Sequence, residues 1–403
     1  MFNDLRVSAF LAARSLQRGG KGRNIMYIVI IALVLTNMIF LPSVIMGAME
    51  LFSEQTIDYI SSDVIIRPPE DVRYIDDVET LLATVNRVPG VVRASARYPM
   101  AGSIDFGDKT VAMKIDAFNP RDETEVTLFH KNVKEGDFLG SGDRDQILVG
   151  SLVAGTRDGD AGGYYASLGG ATVGDSVIVR YANGVVKEYR IKGIFTTKSY
   201  QADYMVFVTK DEMDAVTGAG GARATEVLVK AASAEDIPLV KKRILQFGVG
   251  ENVQTWEEAL PDVVSESIES FAIINMISVL GSLVIAVVLI FIMTTIKTFN
   301  NRKQIGIFKA IGLKKSIIIN SYVMQVIFIC LIGAIVGSIL IGTIILYFTT
   351  YPIELPEGDI TPFVTWAMII ENTTLLFVSS AVAGFIPAWR VTNEGILEAI
   401  RGG

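Results

Sequence analysis

The sequence predicts a membrane all-α bundle of four transmembrane helices, with a large mixed α+β extracytoplasmic domain between helices 1 and 2. Three observations carry this expectation. Four long apolar stretches are present, a polar insert separates the first from the second, and the sign of the charge changes between that insert and the other polar segments.

The first stretch, Ile25 to Met49, and the second, Phe271 to Ile296, contain no charged residue. The third runs from Ser316 to Pro352, and the fourth from Phe363 to Trp389 with one acid, Glu371. A helix rises ~1.5 Å per residue and the hydrocarbon core is ~30 Å thick, so about 20 apolar residues span it. Core helices of soluble proteins are usually shorter and amphipathic. The first stretch is too long for the apolar part of a signal peptide and lacks a small-residue cleavage site. The expected organisation is a cytoplasmic amphipathic segment 1–24, spans at 25–49, 269–296, 316–352 and 363–389, and an extracytoplasmic domain with stalk ends at 50–268. A cytoplasmic loop or helix at 297–315, an external loop at 353–362 and a cytoplasmic tail at 390–403 complete it.

Charge orients the chain. Residues 1–24, 297–315 and 390–403 together carry 13 basic and 3 acidic residues, a net +10, whereas residues 50–267 carry 23 basic and 35 acidic, a net −12. By the positive-inside rule both termini and the 297–315 loop are expected in the cytoplasm and the insert outside. The one cysteine, Cys330, falls in the third stretch, so the external domain is expected to be stable without disulfides.

The insert reads as mixed α and β. Strands are expected at Asp63 to Arg67, Val91 to Arg97 and Thr110 to Ala117, with a helix in Ile75 to Val88 stopped by Pro89-Gly90. A strand-rich block follows at Gln146 to Val149, Ser176 to Tyr181, Val185 to Ile194 and Tyr204 to Val208, with Asn183-Gly184 as a hairpin signal. A strand at Glu226 to Val229 and a helix at Ile237 to Phe247 close it. This order suggests a split α+β subdomain with a β-rich subdomain inserted. Residues 155–170 are rich in glycine and small residues and read as a loop. Residues Trp256 to Glu269 read as helical into the second span, and Glu50 to Ser61 as an outward extension of the first.

Little in the chain signals catalysis. The sole histidine, His130, lies in a polar stretch; with one His and one Cys most zinc patterns are impossible. No phosphate-binding G-x-x-x-x-G-K-[ST] occurs, and Arg18-Gly19-Gly20-Lys21-Gly22 reads as a flexible joint. The acidic run Asp122-Glu123-Thr124-Glu125 lacks calcium-loop spacing and reads as solvated surface. Glu371 is a candidate intramembrane polar site, facing the bundle interior, a partner or water, unless the span begins near Asn372 and the carboxylate lies at the interface. Gly333 and Gly337 form a G-x-x-x-G helix-packing pattern. Between spans two and three, Ile305, Phe308 and Ile311 recur at helical spacing among basic residues. An exposed apolar stripe there needs either the lipid interface or a protein groove.

That last segment carries a family resemblance. Gln304-Ile305-Gly306-Ile307-Phe308-Lys309-Ala310-Ile311-Gly312 resembles the R-x-x-E-I-G-I-x-[RK]-A-[IL]-G-[AL] loop of type VII ABC transporter permeases, the group of MacB, the lipoprotein-releasing permeases and FtsX, with Gln304 in place of the usual Glu. Pro387-Ala388-Trp389-Arg390 through Glu398-Ala399-Ile400-Arg401 resembles the family ending, with Gly395 where Pro is common. Phe10 to Leu16 resembles the helix before the first span, and Ile147 to Val208 the extracytoplasmic core. The resemblance implies a permease of the prokaryotic cytoplasmic (inner) membrane that pairs with a second permease subunit, as homodimer or heterodimer. A separate ABC ATPase subunit dimer would bind ATP and Mg, leaving this chain non-catalytic and without a cofactor of its own. Residues 304–312 would be the ATPase-coupling helix. The work would be mechanotransmission to the outside: export, extraction or release of a lipoprotein, lipid, peptide or drug-like cargo, in contact with membrane lipid and with no nucleic acid. The alternative is an FtsX-like regulator that activates an external hydrolase or signalling partner. A membrane-anchored binding protein without an ATPase is the third reading.

Overall fold

The protein is described by a computed structural model covering residues 2–18, 21–155, 166–218, 223–260, 262–355 and 358–393. It forms two compact units, one of Met1–Glu50, Glu266–Glu354 and Asp359–Gly403, the other of Leu51–Ser265 and Leu355–Gly358. The chain opens with two helices, α1 (Phe2–Arg18) and α2 (Lys21–Gln55). A π-helical stretch, Thr56–Ser61, follows α2 and ends at Ser62, whose φ is +53°. The Ser62 hydroxyl donates towards Val126 O (3.3 Å) and Val229 O (3.2 Å), which ties this awkward turn to the α/β unit.

The strands of the α/β unit are β1 (Val64–Arg67), β2 (Val91–Arg97), β3 (Met100–Phe106), β4 (Lys109–Phe118), β5 (Val133–Gly136), β6 (Gln146–Gly150), β7 (Ser176–Tyr181), β8 (Val186–Phe195), β9 (Val206–Thr209), β10 (Glu226–Ala231) and β11 (Asn252–Thr255). Its helices are α3 (Val78–Val85), α4 (Pro120–Val126), α5 (Ser151–Ala154), α6 (Tyr200–Asp203), α7 (Lys210–Thr217) and α8 (Ile237–Gln246). A four-stranded antiparallel sheet runs β11-β1-β10-β2, joining strands from the two ends of the insert. A second sheet runs β5-β8-β6-β9-β4-β3-β7, and β7 also pairs with β8. That extra pairing closes six strands into a barrel with β5 added outside the ring. The split subdomain with a β-rich insertion is therefore the arrangement found.

The alternation that predicts a half-buried strand is clear in β7, where Val177, Val179 and Tyr181 are buried between exposed neighbours. These side chains join Ile104, Val111, Ile147 and Ile191 in one apolar cluster. The Asn183-Gly184 hairpin forms, with Gly184 at φ +86° and its N–H donating to Tyr181 O (2.9 Å). Strands β3, β5 and β11 and helices α4 and α7 escape the sequence reading. In β3 the reason is local: Gly102 and Ser103 carry weak strand propensity. Gly102 is there because a Cβ would lie 2.8 Å from Arg180 O on β7.

One expectation is corrected. Residues 256–260 form a turn and not a helix. The Glu258 carboxylate accepts from Thr255 N (2.9 Å), and Trp256 N donates to Asp63 O (3.2 Å), so this segment stays bound to β1 and its turn. Regular helix resumes with α9 (Asp262–Asn300), followed by α10 (Arg302–Ala310) and α11 (Lys315–Thr350). A short hairpin, β12 (Ile353–Leu355) and β13 (Gly358–Ile360), leads to α12 (Trp366–Asn393).

Among the described residues, four helical segments are long and apolar enough to cross a membrane: Asn24–Ser61, Ser270–Asn300, Lys315–Thr350 and Trp366–Asn393. Their shared core includes Ile31 and Leu35 of α2, Ile290 of α9, Val326 and Ile329 of α11, and Leu376 of α12. Helix α1 lies along α11. The Ser8 hydroxyl donates to Ile317 O (3.1 Å), that of Ser15 to Gln325 Oε1 (3.2 Å), and Ala12 is fully buried.

Candidate functional site

Helix α10 is defined sharply at its C-terminus. Gly312 N donates to Lys309 O (3.1 Å) and Leu313 N to Phe308 O (3.0 Å), with Gly312 at φ +88°. These paired bonds form a Schellman cap, whose left-handed residue is most readily a glycine. Phe308 and Leu313 both pack into one small apolar cluster, the hydrophobic contact that accompanies such a cap.

That cluster revises the expected stripe. Ile305 is 1 % exposed and packs with Ile318, Ile319 and Tyr322 of α11 and Ala388 and Val391 of α12, with Phe308 against them. Gly306 is buried as well. The chain itself thus covers the Ile305/Phe308 face. The outward face carries Lys303, Gln304, Ile307, Ala310, Ile311 and Gly312, with Ile307 54 % and Ile311 68 % exposed. Lys309 is half-buried beside them. Periodicity located an apolar face; it could not tell which of the two sets of isoleucines had a partner within the chain. The packing also joins the 302–313 segment to Ala388 and Val391 in the last turns of α12. Residues 398–401 of the ending motif, and 156–165 of the expected loop, lie outside the described residues.

Gly333 and Gly337 lie against α2. A Cβ on Gly333 would meet Ile31 Cγ2 at 2.7 Å, and one on Gly337 would meet Ala32 O at 3.0 Å. The Thr36 hydroxyl donates to Ala32 O (2.8 Å) and points on to Gly337 O (3.4 Å). A second polar contact joins α9 to α2, Ser282 Oγ to Asn37 Oδ1 at 2.7 Å. Glu371 is exposed in the second turn of α12.

In the α/β unit, His130 sits in a single 3-10 turn, Phe129–Lys131. No group of three or more His, Cys, Asp and Glu side chains that could hold a metal occurs among the described residues. The acidic run is not all solvated surface: it belongs to α4, and Glu123 is fully buried. Glu123 Oε1 accepts from Arg97 Nη2 (2.6 Å) and from Thr127, and Oε2 from Ser95 (2.8 Å). The Arg97 guanidinium lies 5.0–5.9 Å from the ring centres of Phe207, Phe118 and Phe129. A carboxylate one helical turn from Asn119 had a buried partner that lies on a distant strand, and nothing in the local sequence announces it.

Two family profiles match the chain. The MacB-like periplasmic core domain matches residues 25–247, and the FtsX-like permease C-terminal domain matches residues 276–396. The chain belongs to the MacB/FtsX-type permease family. This is a family of ABC transporter permeases whose members work with ABC ATPase partners and often dimerise. As such a permease the chain is a multi-pass membrane protein of the prokaryotic inner membrane. Solved structures similar to this MacB/FtsX-type permease include the extracellular domain of the noncanonic ABC-type transporter YknZ from Gram-positive bacteria, at 14 % identity and a TM-score of 0.35, covering 48 % of this chain and 97 % of that one. The periplasmic region of MacB from Actinobacillus actinomycetemcomitans matches at 10 % identity and 0.36, covering 55 % and 98 %. A domain of a putative permease from Porphyromonas gingivalis matches at 17 % and 0.27, covering 49 % and 87 %. No curated protein matches the chain.

Proposed function

We propose that this permease couples ATP hydrolysis in a separate ATPase dimer to movement of its α/β unit outside the cytoplasm, and so exports, extracts or releases a lipoprotein, lipid, peptide or drug-like cargo. ATP and Mg belong to the ATPase subunits. Both termini and α10 are cytoplasmic, in keeping with the net +10 of residues 1–24, 297–315 and 390–403. Helix α10 docks on the ATPase, and the movement passes along α2 and α9, the two helices within which the boundary between the compact units falls. A second permease subunit covers α9, the least buried of the four long apolar helices.

The observation that carries this reading is the outward face of α10. Ile307 and Ile311 are exposed among Lys303, Lys314 and Lys315, while the helix is fixed from behind by Ile305 and Phe308. A rigid helix with an uncovered apolar face transmits displacement without absorbing it. Co-purification of the solubilised chain from its native membranes tests this. Ile307→Asp and Ile311→Asp should lose a stoichiometric ATPase while yield and thermal stability stay those of the parent. Ile305→Asp should lose stability itself, because it puts a charge into the internal cluster. If both surface variants still bring down the ATPase in full amount, α10 is not the docking element.

A further inference from the structure

Within the helical unit, α11 and α12 flank an open groove of ≈ 710 Å³. Its walls are mostly apolar, with Ile335 and Phe377 among them, and carry three hydroxyls, those of Ser338, Thr373 and Thr374. Both helices are long and apolar enough to span the membrane, so hydrocarbon is the medium around them. A hydroxyl in such a helix is normally satisfied by a carbonyl three or four residues earlier. Ser321, Thr343 and Ser379 do this on these two helices, donating to Ile318 O (2.7 Å), Ile339 O (2.9 Å) and Leu375 O (2.7 Å). The three in the groove do not. Ser338, Thr373 and Thr374 have no hydrogen-bond partner among the described residues, and the Thr373 oxygen is buried as well. A polar group left unpaired in hydrocarbon is costly, so an outside partner is called for.

Glu371 gives an independent sign. It follows the groove residue Ile370, and Thr374 and Val378, which also line the groove, lie three and seven residues beyond it. That spacing puts Glu371 on their face of α12, at the rim of the groove. Its side chain is exposed and makes no ion pair or hydrogen bond among the described residues. It lies five residues from the exposed Trp366, about 7.5 Å along the helix from that aromatic end. A carboxylate at such a depth needs a partner. The chain brings no cation to it: no Lys, Arg or His occurs between Lys315 and Arg390.

We propose that the α11–α12 groove binds an amphiphilic amine dissolved in the bilayer. Its ammonium group pairs with Glu371, a carbonyl oxygen beside the head accepts from Thr374, and its apolar tail lies against Ile335 and Phe377. Mostly apolar walls with a few convergent polar groups are what a small-molecule site requires. A plain acyl chain would leave the carboxylate and the hydroxyls unpaired, and an anionic head would be repelled by Glu371. The inference uses the membrane placement of α11 and α12 and takes nothing from the ATPase coupling, so it can fail without affecting that reading.

The test is binding of tritiated N-(2-aminoethyl)dodecanamide to the purified full chain in phosphatidylcholine nanodiscs, with empty nanodiscs as background. Saturable binding above that background is expected. The N-acetylated probe, which has the same tail and no charge, should bind at least about tenfold more weakly. Glu371→Gln should weaken the amine by a similar factor and leave the acetylated probe unchanged, a split that misfolding does not produce. Ile335→Trp, which fills the groove from an exposed position, should lose both probes. Glu371→Lys should gain binding of N-dodecanoylglycine, which the parent does not bind. The site is overturned if the amine does not saturate above empty nanodiscs, if acetylation changes nothing, or if both Glu371 variants keep the parent's preference for the amine.

Discussion

Arg97 and Glu123 illustrate how a charge is kept inside a protein. Each ion is expensive to remove from water, and Coulomb attraction offsets that only when the remaining donors and acceptors are also satisfied. Here Ser95 and Thr127 complete Glu123, whereas Arg97 Nη1 has no hydrogen-bond partner among the described residues and the guanidinium faces three phenylalanine rings instead. Glu123→Ala should therefore destabilise the α/β unit by about 3–5 kcal/mol, because it strands Arg97 among aromatic rings. The double variant Arg97→Met with Glu123→Leu should cost much less than the single one, which chemical denaturation followed by tryptophan fluorescence would read. A second residue gives a pH signature. Burial holds the His130 imidazole below its ordinary value of 6.5, outweighing the backbone hydrogen bond at Thr127. Its folded-state value is depressed, so the stability it contributes is fully present above pH 6.5 and lost as pH falls through the lower folded-state value. As the chain's one histidine, it can be titrated alone by NMR. A midpoint at or above 6.5, or an unchanged acid limb of stability in His130→Gln, would contradict this.

At the scale of elements, the α2–α11 seam depends on the two glycines that let the backbones approach. A Cβ at Gly333 would overlap Ile31, and one at Gly337 would press on Ala32 O. Gly337→Leu should destabilise the helical unit by about 1–3 kcal/mol through overpacking, and should also displace the Thr36 hydroxyl from Gly337 O. Gly342 on the same helix has open space around its Cβ position, so Gly342→Ala should change the thermal unfolding temperature in detergent little. Equal loss in the two variants would mean that the seam is not set by close approach. Here the sequence was legible in part. G-x-x-x-G gives the spacing at which glycines share a helix face, and the repeat of Ile305 and Phe308 gives a helix. Neither pattern names the facing element. Ile31 and Ala32 lie far upstream of Gly333, and Ala388 and Val391 far downstream of Ile305, so the pairing is a property of the folded bundle.

At the scale of the whole molecule, long-range composition was the most legible signal. The four apolar stretches, the split α+β subdomain and the inserted β-rich block could be read from hydropathy and turn residues, because most of their segments carry a local pattern. The barrel closure β7–β8 and the buried Arg97–Glu123 pair could not, because each joins positions that have no common local pattern. The way the chain is threaded through the membrane also rests on long-range pattern. On α12, Trp366 and Trp389 are 80 % and 51 % exposed and are separated by roughly 34 Å at ~1.5 Å per residue. That matches two interfacial aromatic positions on opposite sides of a bilayer. The asymmetry of basic residues predicts the sides, which thiol labelling tests. Cys330 is fully buried in the helical core, so Cys330→Ala gives a clean background for added thiols. In that background Asp108→Cys, in the exposed β3–β4 turn, should react with a membrane-impermeant maleimide on intact spheroplasts. Lys303→Cys, exposed on α10, should react only after the membrane is opened. The reverse pattern would invert the topology and place α10 where no cytoplasmic ATPase could reach it.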